Sequence, residues 1–270
     1  MLTENSKRWL RNGSEYMPPE IKFWLNFETN FSAFVLYLFE EFSGCTKDAL
    51  IRINQLNLKK EIEKVKDRET FENNEKFVKK LSENPFVLKK RLPLKLFEQI
   101  YFNYRKYYFK NKKLFKKRAK EITSKINRSK LNRILKSIEN KTKIPFKPKR
   151  INVWLVDIYY IDKEKSLEGT ATKEGIYLGL PSRPVNLFYS TLIHELVHHN
   201  LIGKYSEDKE EILAQLIGLD VSKIFLGKVP LGSVKIAKRR VERITKMNFK
   251  TVLKMWENKN STSKFINSIN

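Results

Sequence analysis

At 270 residues the chain is long enough for one large domain or two ordinary ones, and it can bury about 75% of its unfolded surface without a disulfide or metal to hold the core. A hydrophobic content of 41% with 12% aromatics argues against disorder, and the single cysteine, Cys45, excludes an intramolecular disulfide and cysteine-rich zinc sites. The net charge of +25 is uneven: residues 101–150 hold 19 Lys+Arg against two acids, residues 151–220 six against eleven, and residues 221–270 twelve against two, an asymmetry that marks two functionally different parts.

The first eight residues lack the apolar core of a secretory signal. The longest apolar run, 31–39, is roughly half of the ~20 residues needed to span a bilayer. A soluble, cytoplasmic protein with no membrane partner is therefore expected.

Residues 20–140 read as helical. Pro18 and Pro19 precede a helix expected over 21–42, stopped by Ser43-Gly44, and a second helical stretch is expected over 48–81. Asn84-Pro85 and Leu92-Pro93 act as breakers. A third helix should begin near Leu94, where Phe97, Tyr101, Tyr104, Tyr108 and Phe115 recur at helical spacing. Its segment 101–120 interleaves Tyr and Phe with Lys and Arg. That pattern suits an amphipathic helix with its aromatics inward, and equally phosphate contacts with base stacking, so nucleic acid is a partner to test.

Residues 141–150, with two prolines and five basic residues, read as a linker. Beyond it the texture changes. Residues 151–161 are rich in β-branched and aromatic side chains, as strands are, and 175–180 is a second strand candidate. Pro181 to Pro184 turns the chain into an apolar helix over 186–201, ended by Gly203. Ser206 is a plausible N-cap for a further helix running to about Phe225. The expected fold class is α+β: an all-α basic N-terminal region over 1–143, then a small α+β domain over 144–260.

All three histidines, His194, His198 and His199, fall within six residues. Four residues advance a helix by about 400°, so His194 and His198 lie one turn apart on one face, where both imidazoles can reach one metal at ~2.0–2.1 Å. Glu195 sits beside that line, so it can touch an attacking water without displacing it, as a general base must. A helix this apolar gains nothing from burying two imidazoles and a carboxylate without partners. His199 is turned away and reads as a supporting or surface residue.

A catalytic zinc needs a third protein ligand and an open position. With no fourth histidine, an acid of the next helix is expected. Glu211 shares a stripe with Ala214, Gln215 and Gly218, small enough for close helix approach, and is preferred; Glu210 is the substitute.

His194-Glu195-Leu196-Val197-His198, followed by Glu211-Ile212-Leu213-Ala214, resembles the gluzincin metallopeptidases, whose pattern is HExxH and then a glutamate on a second helix. Residues 150–226 resemble the single-domain minigluzincins in particular. The resemblance implies a zincin-like catalytic domain, Zn2+ held by His194, His198 and Glu211, Glu195 as base, and a peptide or protein substrate bound by backbone pairing to the strand before the motif helix, here 175–180. It departs from the pattern at Gln215, where an aspartate often orients a zinc-bound histidine, and at His199, where an apolar residue is usual. It further implies an oxyanion donor, for which Tyr177, Tyr189 and Tyr205 are candidates. The expected function is zinc-dependent peptide-bond hydrolysis; the alternative is a nucleic-acid-associated regulatory protein with a zincin-like binding or sensing module.

Overall fold

A computed structural model describes residues 18–40, 94–157, 160–161, 166–167, 169–180, 185–259 and 261–269. The helix expected over 48–81, its flanking breakers, Cys45 and the turn at Pro181 to Pro184 lie outside them.

The expectation of a helix from Ile21 is corrected. Glu20–Trp24 is a strand, β1, and the helix α1 starts only at Phe27, covering Phe27–Glu40. Two prolines hold the preceding backbone extended, and Ile21 and Phe23 alternate with Lys22 and Trp24 at the period of a strand. Asn26 then marks the helix start, its Oδ1 accepting from the Thr29 N–H at 2.8 Å. The N-terminal region is therefore not all-α.

The remaining elements are α2 (Leu94–Thr123), α3 (Arg128–Thr142), β2 (Arg150–Val156), β3 (Tyr160–Ile161), β4 (Ser166–Leu167), β5 (Gly169–Ala171), β6 (Gly175–Gly179), α4 (Val185–Leu201), α5 (Glu207–Leu226), α6 (Leu231–Thr245), α7 (Phe249–Glu257) and α8 (Thr262–Ser268). The class is α+β. A four-stranded sheet has the order β1-β2-β6-β5, with β1, β2 and β6 parallel and β5 antiparallel to β6; β3 and β4 form a separate two-stranded ribbon.

Register assigns the two faces of the four-stranded sheet. Phe23 pairs with Val153 and Val153 with Ile176, so these share a face, and Phe23 meets Phe188 of α4 at 6.2 Å between ring centroids. Val153, Leu155, Ile176 and Leu178 are buried. On the other face Trp24 pairs with Trp154 and Trp154 with Tyr177, and the last two rings stack at 4.8 Å. Gly175 starts β6 with φ +150°, and a side chain there would strike the Asn152 carbonyl, so only glycine fits.

Helix α4 packs on β5 and β6, α5 packs on α4, and α3 packs on both helices. One apolar core runs from Phe31 and Phe34 of α1 through α2, α3 and the sheet to Trp256 and Phe265 at the C-terminal end. The described residues on either side of 143/144 thus contribute to the same sheet and the same core. The segment expected as a linker is a tied connection: Phe146 is buried, and its N–H donates to Glu139 Oε1 at 2.7 Å.

Asn30 fastens α1 to the end of β2. Its amide nitrogen donates to the Leu155 carbonyl at 2.9 Å, and its oxygen accepts from the Asp157 N–H at 2.9 Å, continuing the hydrogen bonding of a strand. Asp157 in turn accepts from Tyr104 at 2.9 Å and Tyr107 at 3.0 Å, both on α2. No helix among the described residues is long and apolar enough to cross a membrane.

Candidate metal centre

Helix α4 is apolar on most of its surface: Leu192, Ile193, Leu196 and Val197 are fully buried. Three of its polar residues, His194, Glu195 and His198, point where α5 and β5 supply partners. His194 and His198, one turn apart, bring their ring centroids to 4.6 Å at 86°. Helix α5 meets α4 at Gly218, where a Cβ would lie 3.5 Å from His194 Cα, an ordinary van der Waals contact. That approach carries Glu211 to the histidines. One ligand atom each from His194, His198 and Glu211 lies within 4.8 Å of the other two, and His198 Nε2 is 3.0 Å from Glu211 Oε2.

The donor set fits a first-row cation. Ligands of a tetrahedral ion at ~2.1 Å sit about 3.4 Å apart, inside the 4.8 Å that encloses the three ligand atoms here, and two imidazoles with one carboxylate are donors that first-row cations accept. The three ligands found among the described residues would leave one position of a tetrahedral ion for a further ligand.

Each of these groups is held by a second contact. His194 donates to the Ala214 carbonyl on α5; burial, then the neighbouring His198, pulls its pKa down to about 3, so the ring is neutral and ready to ligate. His198 Nδ1 lies 2.8 Å from Glu210 Oε1. Burial acts to lower the His198 pKa, but its bonds to Glu210 and Glu211 outweigh that and lift it to about 10 in the metal-free protein. The other oxygen of Glu211 accepts from Gln215 at 2.8 Å and from Arg240 of α6 at 2.6 Å. Burial acts to raise the Glu211 pKa, but the bond to His198 and the nearby His194 and Arg240 hold it well below the usual carboxylate range.

Glu195 is buried and accepts a backbone hydrogen bond from Ala171 of β5. Burial pushes its pKa up to about 7; the His198 charge opposes that rise, Glu211 adds to it and Arg240 again opposes it. Gly169 makes room for this carboxyl, since a Cβ there would come within 2.6 Å of Glu195 Cγ. His199 joins no ligand group: its Nδ1 lies 2.8 Å from the Thr172 carbonyl and pins α4 to the turn between β5 and β6.

Several expectations change. Strand β6 is paired on both sides, by β2 and by β5, so it has no free edge for a substrate; the edge beside Glu195 is β5. Thr172 and Gly175 exchange backbone hydrogen bonds, so by alternation the peptide groups of Ala171 and Gly169 turn away from β6. A three-residue strand reading Gly-Thr-Ala carries no β-branched run and gives no sequence signal. Tyr177 lies on the sheet face opposite α4, and the Tyr189 hydroxyl donates to the Lys125 carbonyl at 2.7 Å. Tyr205 lies in the turn between α4 and α5, packed against the core. Glu210 meets His198 Nδ1, and Gln215 donates to the ligand Glu211. Arg240 was not singled out by sequence, because nothing distinguishes it from its neighbours Lys238, Arg239 and Arg243. The chain matches no protein-family model, no curated protein and no solved structure.

Proposed function

We propose that this chain is a zinc-dependent peptidase of the gluzincin type, with His194, His198 and Glu211 holding the metal and Glu195 acting as base. The observation that carries the reading is the convergence of these three ligand atoms within 4.8 Å, with Glu195 as the next residue on the same helix. The zincin-like character rests on the same pair of helices, α4 supplying HExxH and α5 the glutamate. When bound, zinc would polarise the scissile carbonyl and acidify the attacking water.

The protein's own groups do the rest. Glu195, held by the Ala171 N–H beside Gly169, takes a proton from water as the oxygen adds to the carbonyl carbon. It then delivers that proton to the amine nitrogen as the C–N bond breaks, leaving one carboxylic acid and one amine. Glu210 keeps His198 oriented so that Nε2 faces Glu211, and Arg240 with Gln215 keeps Glu211 ionised and fixed. The outward Gly169 peptide groups and the Ala171 carbonyl offer an extended substrate a strand to pair with, beside the same carboxyl.

The test combines metal analysis with hydrolysis of an unfolded protein such as casein by the full-length chain. About one zinc per chain is expected, with cleavage that a chelator stops. Metal content undiminished in a His194→Ala, His198→Ala double variant would overturn the ligand assignment. A zinc-loaded protein that leaves the substrate intact would overturn the peptidase assignment.

A further inference from the structure

We propose that the outer face of α2 is a binding surface for single-stranded nucleic acid. Between Arg105 and Lys120 this helix carries nine lysines and arginines and no acid, over about 24 Å of helix length. Its other face is spent on the core: Phe97, Tyr104, Tyr108, Phe115 and Ile122 are all buried. Lys106, Lys110, Lys113 and Lys117 follow one another at three- and four-residue steps along the exposed face. None of the nine cations makes an ion pair with a carboxylate among the described residues. Solubility asks for mixed charge, whereas an acid-free cationic ridge suits a polyanion.

Two aromatic rings separate this ridge from a simple charged surface. Phe102 is 56% exposed and Phe109 47% exposed, on the same face as the lysines. They stand two turns apart, about 10 Å along the axis. Phe109 rests on Phe27 at 5.7 Å, with Lys112 at 4.9 Å and Arg105 at 5.7 Å from its ring centre. Rings set among cations are what single strands use, because bases stack on the ring while phosphates meet the charges. An anionic membrane fits less well. A surface-lying helix inserts a continuous apolar face, and here that face is already buried.

The test uses the full-length chain and a fluorescent 20-nucleotide oligo(dT) or oligo(U), with binding followed by anisotropy at several salt concentrations. Contacts to about five phosphates give a log–log salt slope near −3.5. Replacing Lys106, Lys110, Lys113 and Lys117 with Gln should cut that slope by about 2.8 and weaken binding more than tenfold at 0.1 M salt. A control with Lys235, Lys238, Lys250 and Lys254 replaced by Gln, exposed positions on α6 and α7, removes the same charge and should leave the slope almost unchanged. Phe102→Ala should weaken the single strand about tenfold with the slope intact, while a 20-base-pair duplex barely responds. Circular dichroism establishes that each variant is folded. Equal losses in the two quadruple variants would reduce the effect to bulk charge and overturn the proposal. So would absence of oligonucleotide binding, tighter binding to the duplex, or binding only to phosphatidylserine vesicles.

Discussion

Helices α4 and α2 use polar residues in opposite ways. In α4 nearly every polar side chain is enclosed and has a named partner: His194 the Ala214 carbonyl, Glu195 the Ala171 N–H, His198 two carboxylates, His199 the Thr172 carbonyl, and Asn200 Nδ2 the Ile144 carbonyl. In α2 Phe97, Tyr104, Tyr108 and Phe115 fill the core, while the charges stand in water beside Phe102 and Phe109. A buried polar group without its partner costs about 1–3 kcal/mol, so changes in α4 should act one residue at a time and steeply. Exposed like charges act through their sum, so changes in α2 should be graded.

The largest effects should therefore come from α4, and they should separate by role. Glu195→Gln is expected to keep the metal, because Glu195 is no ligand, yet to lower kcat about 10²- to 10⁴-fold, because an amide cannot accept the proton. His198→Ala should lose metal and activity together, and it leaves Glu210 and Glu211 facing each other without the imidazole between them. Metal content and casein cleavage, measured on both proteins, separate the two roles. If Glu195→Gln also sheds its metal, or cleaves at the wild-type rate, the division of labour along α4 is wrong.

What the sequence makes legible follows the same contrast. The HExxH pair reads directly because its geometry is internal to one helix, and Glu211 reads because Ala214 and Gly218 announce a close helix contact. Glu210 and Glu211 are adjacent acids that differ only by rotation about α5. Spacing selected one as ligand, but the contact of the other with His198 Nδ1 appears only when the helices are packed. Strand β1 pairs Trp24 with Trp154, a partner far along the chain that no local pattern names. The helical pattern over 21–42 misleads because Ile21 and Phe23 run straight into a truly helical segment, and only Asn26 marks the change. Strand β5 and Arg240 were missed for want of any distinguishing residue type.

Arg240 tests how far the steep behaviour of α4 reaches into α6. Its guanidinium holds Glu211 Oε1 at 2.6 Å and helps keep that carboxyl ionised. Arg240→Ala should weaken zinc binding about 10- to 100-fold, the usual effect of losing a group that orients a ligand. Arg240→Lys should recover only part of it, since an ammonium cannot reproduce the planar fork. Competition with a zinc chelator gives the affinities. An unchanged value in Arg240→Ala would confine the site to α4 and α5.

Asn30 asks whether the sheet's N-terminal edge is coupled to the site. It is fully buried, and its side chain makes three hydrogen bonds, to Asn26, Leu155 and Asp157. Asn30→Ala would leave the Leu155 carbonyl and the Asp157 N–H unsatisfied, which should cost about 2–4 kcal/mol of stability in urea unfolding. Zinc affinity should stay the same, because the polar contacts that hold the ligands come from α5 and α6. A matching loss of zinc affinity would mean that β1, β2 and the metal site respond as one unit.

The smallest effect expected is also the most selective, and it belongs to the aromatic side of α2. Burial, reinforced by Asp157 and Glu28, pushes the Tyr108 phenol up to about 12. In the unfolded chain the same phenol titrates near 10. Below pH 10 both states keep the proton, and Tyr108 adds no pH dependence. Between pH 10 and 12 the unfolded chain gives up the proton while the folded chain keeps it. The folded state then binds more protons, so stability falls as pH rises, by roughly 1.4 kcal/mol per unit from this group alone. Tyr108→Phe removes the phenol while keeping the ring among Phe27, Tyr104 and Phe115. Its stability at pH 8 should stay within about 1 kcal/mol of wild type, and its decline from pH 10 to 12 should be shallower. Lysines and the other tyrosines titrate alike in both proteins, so the difference between the two urea-unfolding profiles isolates this one group. Parallel profiles across that window would show that Tyr108 loses its proton as readily in the folded protein as in water, and that the aromatic face of α2 is less dry than the buried face of α4.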